Sequence, residues 1–154
     1  MRENIEIVEP SLEISKLQNE VITELSVVLP DSAIELIGSM AVPVSGKSEI
    51  DVMVISNNVD ADSKLLYKKG YRQGPIVSGA SYLSVKRNDI SVDIQIIPTN
   101  HKMIEIHRKT LKKLRGNQEL KDKYQKFKQS LAGLSGEEYK KRKSEWIKDN
   151  LLND

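Results

Sequence analysis

Residues 36–54 read LIGSMAVPVSGKSEIDVMV, and this stretch decides how the rest of the chain is interpreted. A short apolar run ends at a Gly-Ser pair, and an alternating run typical of a β-strand begins further along at Glu49. Side chains on a strand alternate between faces, so Glu49 and Asp51 share one face while Ile50 and Val52 share the other. Two neighbouring carboxylates repel each other unless a cation lies between them, and Mg²⁺ prefers oxygen ligands of this kind.

A third acid lies inside the apolar run Ile90–Ile97, which reads ISVDIQII. In that run Asp93 and Gln95 share one face, and the isoleucines at even-numbered positions share the other. If this strand neighbours the strand that begins at Glu49, the three carboxylates meet on one face of the sheet. We therefore predict a metal site for Mg²⁺ made of Glu49, Asp51 and Asp93.

The pair Gly38-Ser39, at the end of the preceding strand, is a candidate phosphate-binding turn if a helical turn begins there. The free backbone N–H groups of a helical turn and the Ser39 hydroxyl can hold a phosphate, and Gly38 permits close backbone approach. Each feature also has a simpler interpretation: the pair can be an ordinary turn, Glu49 an exposed edge residue, and Asp93 a water-facing acid. The combination of the Gly-Ser pair with the three acids, in this order, favours the site. Asp51 and Asp93 are its strongest indications, because aspartate is depleted in strands.

Hydrophobic periodicity places these motifs in an α+β fold. Apolar residues three and four apart predict an amphipathic helix over 14–28, and a short helix is predicted over 60–69. A β-rich segment over 71–98 follows, and three helices are predicted beyond it. The expected architecture is a small mixed β-sheet with flanking helices and a C-terminal helical extension. We expect one structural unit, with an α/β core over 1–98 and a helical cap over 99–154.

The composition excludes several classes of protein. The chain has 154 residues, the length of one ordinary domain, and no cysteine, which excludes disulfides and favours a cytoplasmic location. Its apolar runs are too short for a membrane span, and its acidic first ten residues lack the apolar stretch of a secretory signal, so we expect neither. Residues 1–98 carry 9 basic and 14 acidic side chains, whereas 99–154 carry 15 and 8. These net charges of −5 and +7 are compatible with a negatively charged ligand or partner, but composition alone favours a solvated lysine-rich surface.

The motifs resemble two nested groups of proteins. The pair Gly38-Ser39, then Glu49 and Asp51, then a later acid, is similar to the pattern of the nucleotidyltransferase (DNA polymerase β-like) superfamily. Within that superfamily, residues 37–43 (IGSMAVP) resemble the IGSTAVP stretch of the GrpB-like family. The likeness continues at Lys47, Ile50–Val52, Lys69–Tyr71, Leu114–Leu120 with Tyr124 and Lys128, and Tyr139 with Lys143. The resemblance therefore implies a β-sheet of the nucleotidyltransferase type.

The chain departs from the family pattern in three places, one of which is Gln118 where the family has a proline. The family usually has Phe-Arg-Asp-Tyr where residues 110–113 read TLKK, and it often has an apolar residue at the position of Glu49. The acid at position 49 makes this chain more similar to active nucleotidyltransferases than to many GrpB-like members.

The resemblance implies a nucleotidyltransferase that moves a nucleotide from a nucleoside triphosphate to an unknown acceptor, with Mg²⁺ as the cofactor. Asp93 would be a metal ligand or the general base for the acceptor, and hence the catalytic residue. Gly38 and Ser39 would contact the nucleotide. Lys128 and Lys143, on the basic helices, are predicted to bind its phosphates, although each can also flank an apolar stripe of the core.

Two other functions remain open at this point. A non-catalytic nucleotide- or coenzyme-binding module would keep the cleft and act as a regulator or chaperone-like partner, because some GrpB-like members are fused to dephospho-coenzyme A kinase. RNA binding by the basic half is a third hypothesis, which the sparse aromatic residues there disfavour. We expect no membrane partner. His107 shares a helix face with Ile104 and Leu111, and we interpret it as a packed residue.

Overall fold

The computed structural model describes residues 7–8, 11–42, 46–47 and 49–152. Within these residues the strands are Ile7–Val8 (β1), Ala33–Ile37 (β2), Gly46–Lys47 (β3), Glu49–Ser56 (β4), Arg72–Val77 (β5), Ala80–Arg87 (β6) and Ile90–Pro98 (β7). The helices are Leu12–Val28 (α1), Val59–Lys68 (α2), Lys102–Gly116 (α3), Gln118–Ser130 (α4) and Gly136–Ile147 (α5). A 3-10 turn, Ser39–Ala41, follows β2, and a π-helical turn, Lys148–Leu152, follows α5. The predicted α+β class is confirmed.

The main sheet has five strands in the order β2-β4-β7-β6-β5, and β1 pairs separately with β3. β4 and β7 run parallel, whereas the other neighbouring pairs of the main sheet are antiparallel. Asn88 and Asp89 join β6 to β7 with φ angles of 51° and 63°, as expected for a two-residue hairpin turn. The predicted mixed sheet and hairpin are therefore confirmed, and the parallel pair places the two acid-bearing strands side by side.

One face of the sheet is buried beneath α1 and α2. The apolar stripe of α1 includes Val21 and Leu25, both fully buried, and it packs on the alternate apolar residues of β4 and β7. The helix begins where the Ser11 hydroxyl accepts a hydrogen bond from the Ile14 backbone N–H at 3.2 Å. Burial on this face fixes the strand register, since a slip of one residue would bring the acids into the core.

The opposite face of the sheet is covered only in part, by α3. Ile104 of α3 packs with Met53 of β4 and Ile97 of β7 in a second apolar cluster. Arg108 of α3 donates two hydrogen bonds to the Glu35 carboxylate of β2, at 3.1 and 2.6 Å. The acids at the beginning of β4 and within β7 lie on this same face, beyond the area that α3 covers.

The last helices form a third apolar cluster below α3. The rings of Tyr124 and Phe127 on α4 stack on Trp146 of α5, with centroids 5.0 and 5.3 Å apart.

The division into a core over 1–98 and a cap over 99–154 stays a prediction, as does the cytoplasmic location.

Two further expectations concern membranes and secretion. In the part of the chain that the structure describes, no helix is long and apolar enough to cross a membrane. The expectation that no secretory signal is present concerns the first ten residues, most of which lie outside the described residues.

Candidate functional site

Three carboxylates meet where β4 and β7 lie in parallel. Asp51 and Asp93 are direct partners in the register of these strands, and Glu49 lies one position along the same face of β4. Oxygen atoms of the three side chains all lie within 4.8 Å of one another, and each residue is half-buried. The Ser91 hydroxyl donates a hydrogen bond of 3.1 Å to the Asp93 carboxylate. The structure thus brings the three predicted metal ligands together.

The spacing of these oxygens fits a divalent cation. A Mg²⁺–oxygen bond is about 2.1 Å long, so oxygens on opposite sides of one ion lie about 4.2 Å apart. The observed limit of 4.8 Å is close enough that small side-chain rotations would let all three acids contact one ion. Hard oxygen donors are also the chemistry that Mg²⁺ selects, so the residues fit the ion.

Gly38 lies directly beside the acids and shapes the site. Its φ angle is +80°, which residues with a side chain rarely adopt. A Cβ atom placed on Gly38 would lie 2.5 Å from a carboxylate oxygen of Asp51, which is far closer than ordinary contact. The glycine is therefore required both by the turn and by the space that the Asp51 carboxylate occupies.

The backbone of the turn after Gly38 is held from two sides. The Gln18 side-chain amide of α1 donates a hydrogen bond to the Met40 carbonyl at 3.1 Å. The Arg115 guanidinium of α3 donates two hydrogen bonds to the Ala41 carbonyl, at 3.2 and 2.6 Å. The 3-10 turn begins at Ser39, as expected for a phosphate-binding turn, but the predicted contact of the Ser39 hydroxyl lies outside the described parts of the chain.

The acids form the floor of a cleft of about 520 Å³, which we call the acidic cleft. Its lining includes Glu49, Asp51, Asp93, Tyr82, Tyr139, Lys140 and Lys143. Both of these lysines project from α5, so the wall opposite the acids is basic. A cation on the floor and lysines on the wall are complementary to the phosphates of a nucleotide.

The half-buried Lys143 is the predicted phosphate ligand that lines this cleft. Burial is the largest single influence and lowers the pKa of its ammonium group, but the nearby Tyr124 and Tyr139 side chains and the acids of β4 together raise that pKa above its ordinary value. The acids concerned are Asp51 and Glu49. Lys143 is consequently charged at neutral pH and lies close enough to the acids to interact with them electrostatically.

Lys128, the other predicted phosphate ligand, is buried behind the cleft. Its ammonium group donates a hydrogen bond to the Tyr139 hydroxyl and lies 4.6 Å from the centroid of that ring. Burial raises the pKa of Tyr139 above its ordinary value, so the phenol is neutral and can accept this bond. Lys128 thereby joins α4 to α5 and holds a ring that lines the cleft, whereas its own side chain is only 1% exposed.

Sequence reasoning missed three residues that line the clefts beside the acids. Tyr82 on β6 lies opposite Gln95 of β7, and the hairpin turn could have located it by fixing the register of those strands. Lys140 precedes Lys143 by three positions on a lysine-rich helix, where no signal distinguishes it. His107 lines a neighbouring pocket and was interpreted only as packed.

Solved structures with a similar fold include poly(U) polymerases. One is a Cid1 poly(U) polymerase with Mg 3′-dATP bound, at a TM-score of 0.54 and 15% sequence identity. The alignment covers 73% of this chain and 39% of that chain, so the likeness is one of fold. The sheet and its flanking helices thus define a protein with the nucleotidyltransferase fold, as the resemblance implied.

The particular family is defined by sequence. The model of the GrpB protein family matches residues 4–152, and the chain belongs to that family. A UPF0157 protein of Vibrio cholerae is 30% identical over 128 residues, which cover 80% of this chain and 68% of that protein. The crystal structure of the conserved protein GrpB from Enterococcus faecalis matches with a TM-score of 0.75 at 23% identity, covering 94% of this chain and 98% of that one. The family resemblance is confirmed.

Proposed function

We propose that this GrpB-family protein transfers a nucleotide from a nucleoside triphosphate to an acceptor hydroxyl, using Mg²⁺. The observation that carries the proposal is the convergence of three carboxylates on the floor of a cleft whose opposite wall is basic. A triphosphate needs both parts: a cation to neutralise its charge and lysines to fix its outer oxygens.

Each residue has a distinct role in this proposal. Glu49, Asp51 and Asp93 would hold Mg²⁺, which when bound would neutralise phosphate charge and make the acceptor hydroxyl more acidic. Lys143 would pair with phosphate oxygens, and the backbone of the turn from Gly38 to Ser39 would donate hydrogen bonds to them. The Ser39 hydroxyl would add a further donor. Lys128 would act on the nucleotide indirectly, through Tyr139.

The proposed reaction is a single displacement at phosphorus. The acceptor oxygen attacks the α-phosphorus, and the bond from that phosphorus to the oxygen bridging to the β-phosphate breaks. Pyrophosphate leaves, and the hydroxyl proton passes to the Asp93 carboxylate, which would therefore act as the general base. The lysines of α5 would stabilise the charge that builds up on the departing pyrophosphate.

The test is titration calorimetry with each nucleoside triphosphate, with Mg²⁺ and with EDTA. Binding is expected only with Mg²⁺, and Asp51→Asn or Asp93→Asn should weaken it roughly 10- to 100-fold or more, since even outer-shell partners of a metal ligand contribute that much. Asp89→Asn is the matched control: Asp89 is an exposed acid in the β6–β7 turn, where asparagine suits the positive φ angle.

Turnover is then followed as pyrophosphate release with hydroxyl-bearing acceptors, including RNA oligonucleotides and small alcohols. Release that disappears in Asp93→Asn supports the proposal. Mg²⁺-dependent binding without transfer to any acceptor would instead favour the nucleotide-binding module. Binding that is indifferent to Mg²⁺ and to both aspartates would overturn the metal site.

A further inference from the structure

A second cavity opens from the acidic cleft, and the proposed reaction does not yet use it. This cavity of about 300 Å³, which we call the helix pocket, lies between the sheet and the three C-terminal helices. Ile37, Asp51, Gln95 and Lys143 line both cavities, so the helix pocket adjoins the acidic cleft at Asp51. A molecule in the helix pocket would therefore have one end beside Asp51.

The walls of the helix pocket are mostly apolar. They are formed largely by α3 and α5, and their apolar members include Val42, Met103, Ile106, Leu111, Leu114 and Ile147. The charged side chains Asp51 and Lys143 lie where the pocket joins the acidic cleft. A charged group placed deeper than that junction would lose its hydration without gaining a partner of opposite charge. The lining therefore selects an uncharged group.

One polar pair interrupts the apolar walls. The Nε2 atom of His107 lies 3.1 Å from the Oε1 atom of Gln95, and because that oxygen can only accept, Nε2 carries the hydrogen. Burial, and after it the charge on Lys143, lowers the pKa of His107 to about 4. The imidazole is therefore neutral at physiological pH, and its Nδ1 atom is a hydrogen-bond acceptor. The hydroxyl of Thr110, one helical turn away, lies in the same lining.

We propose that the helix pocket binds an uncharged planar ring, such as a nucleobase, whose polar edge meets His107 and Gln95. The apolar walls would contact the two faces of the ring. Ligand pockets usually span roughly 300–1,000 Å³, so this cavity lies at the small end of that range, which suits a single ring system. The inference rests on the proposed function, because the junction at Asp51 would then hold the phosphate or hydroxyl attached to that ring.

The ring could belong to the triphosphate or to the acceptor, and the chemistry of recognition is the same for both. The probes are therefore the four common ribonucleosides, which carry a base but no phosphate. Ligand-observed NMR in EDTA is expected to detect binding of at least one nucleoside, since the helix pocket needs no metal. A nucleoside that competes with Mg²⁺-triphosphate identifies the donor base, whereas one that binds beside it identifies the acceptor ring.

Substitutions at the polar pair test the assignment. His107→Leu should weaken nucleoside binding roughly threefold to tenfold, the worth of one hydrogen bond, whereas His107→Gln should restore part of it. Glu105→Leu, an exposed position on the same helix, is the control. Gln95→Leu tests the opposite wall if His107→Leu does not fold.

The outcomes separate this inference from the proposed function. If no ribonucleoside binds, or if His107→Leu and Gln95→Leu both bind nucleosides as tightly as the unaltered protein, the inference is wrong. Mg²⁺-dependent triphosphate binding that still requires Asp51 would then leave the proposed function intact. Nucleoside binding without any Mg²⁺-dependent triphosphate binding would instead support the helix pocket and contradict the proposed function.

Discussion

At the scale of single residues, Gly38 links the backbone to the proposed metal site. Its positive φ angle and the 2.5 Å approach of a would-be Cβ to the Asp51 carboxylate are separate constraints. Gly70 provides a matched comparison, because its φ angle is +99° but a Cβ there would meet nothing within 4 Å. A side chain at position 70 would therefore meet backbone strain alone. A side chain at position 38 would meet the same strain together with a collision with the Asp51 carboxylate.

We predict that Gly38→Ala destabilises the protein more than Gly70→Ala and that only Gly38→Ala weakens Mg²⁺-dependent triphosphate binding. A side chain forced into this backbone region costs about 1–3 kcal/mol, and both variants carry that cost. Urea unfolding gives the stabilities, and calorimetry gives the binding. Equal effects of the two variants on both measurements would show that the contact with Asp51 is unimportant.

At this scale the sequence predicts that the three acids come together, as they do, but it gives no indication that His107 lines a pocket. Asp51 and Asp93 stand out because an acid inside an apolar strand needs an explanation, and strand alternation then places them on one face. His107 gave no such signal, since its helical spacing with Ile104 is equally typical of a core residue. Its role depends on Gln95, which comes near only through the packing of α3 on the sheet.

At the scale of elements, the sequence makes the neighbouring of β4 and β7 only a conditional prediction, and it predicts the last helix as part of a basic cap without fixing its position on the sheet. The hairpin turn fixes β6 beside β7, but the position of β4 depends on the crossover through α2, β5 and β6. β5 itself was foreseen only as part of a β-rich segment. Its residues are all exposed, and its register against β6 shifts between Gln73 and Ile76, so it lacks the alternation that marks a half-buried strand.

The link between α4 and α5 supports a prediction about the two lysines. Lys143→Met should weaken Mg²⁺-dependent triphosphate binding roughly tenfold or more, because it removes a charged partner of phosphate. Lys128→Met should have a smaller effect, at least as large as that of Tyr139→Phe, because both changes break the hydrogen bond and Lys128→Met also removes the ammonium group from the ring. The double variant Lys128→Met/Tyr139→Phe should be no worse than Lys128→Met alone, which is the signature of coupled residues.

Triphosphate titrations of the four variants check this, with Lys126→Met as the control for an exposed lysine of α4. If Lys128 instead contacts phosphate directly, Lys128→Met will match Lys143→Met and Tyr139→Phe will be neutral. Additive losses in the double variant would likewise show that the two residues act independently.

At the scale of the whole molecule, the two halves of opposite charge meet at the acidic cleft. Three of the 14 acidic side chains of residues 1–98 form its floor, and Lys140 and Lys143 from the basic half line its wall. The charge split in the sequence is compatible with a negatively charged ligand but could not locate it, because the remaining lysines are spread over helix surfaces. The same packing of α3 and α5 that builds the wall also buries His107.

The burial of His107 makes the free energy of unfolding of the whole fold depend on pH. The ordinary pKa of histidine is 6.5, and in the folded protein that of His107 is lowered to about 4, first by desolvation and then by Lys143. Between these values the unfolded chain binds a proton that the folded protein does not, so stability falls as the pH falls through this window. This one group contributes up to about 1.4 kcal/mol per pH unit there and nothing above about pH 6.5.

We predict that the unfolding free energy of the unaltered protein minus that of His107→Leu is constant from about pH 7 to 8. This difference should decrease as the pH falls from about 6.5 to 4. Carboxylates that titrate in the same range affect both proteins alike and cancel in the difference. Urea unfolding at half-unit pH steps measures it, and NMR titration of the His107 ring locates the transition directly. Parallel stability curves, or a ring that titrates near 6.5, would show that the imidazole reaches solvent and that the helix pocket is open to charged groups.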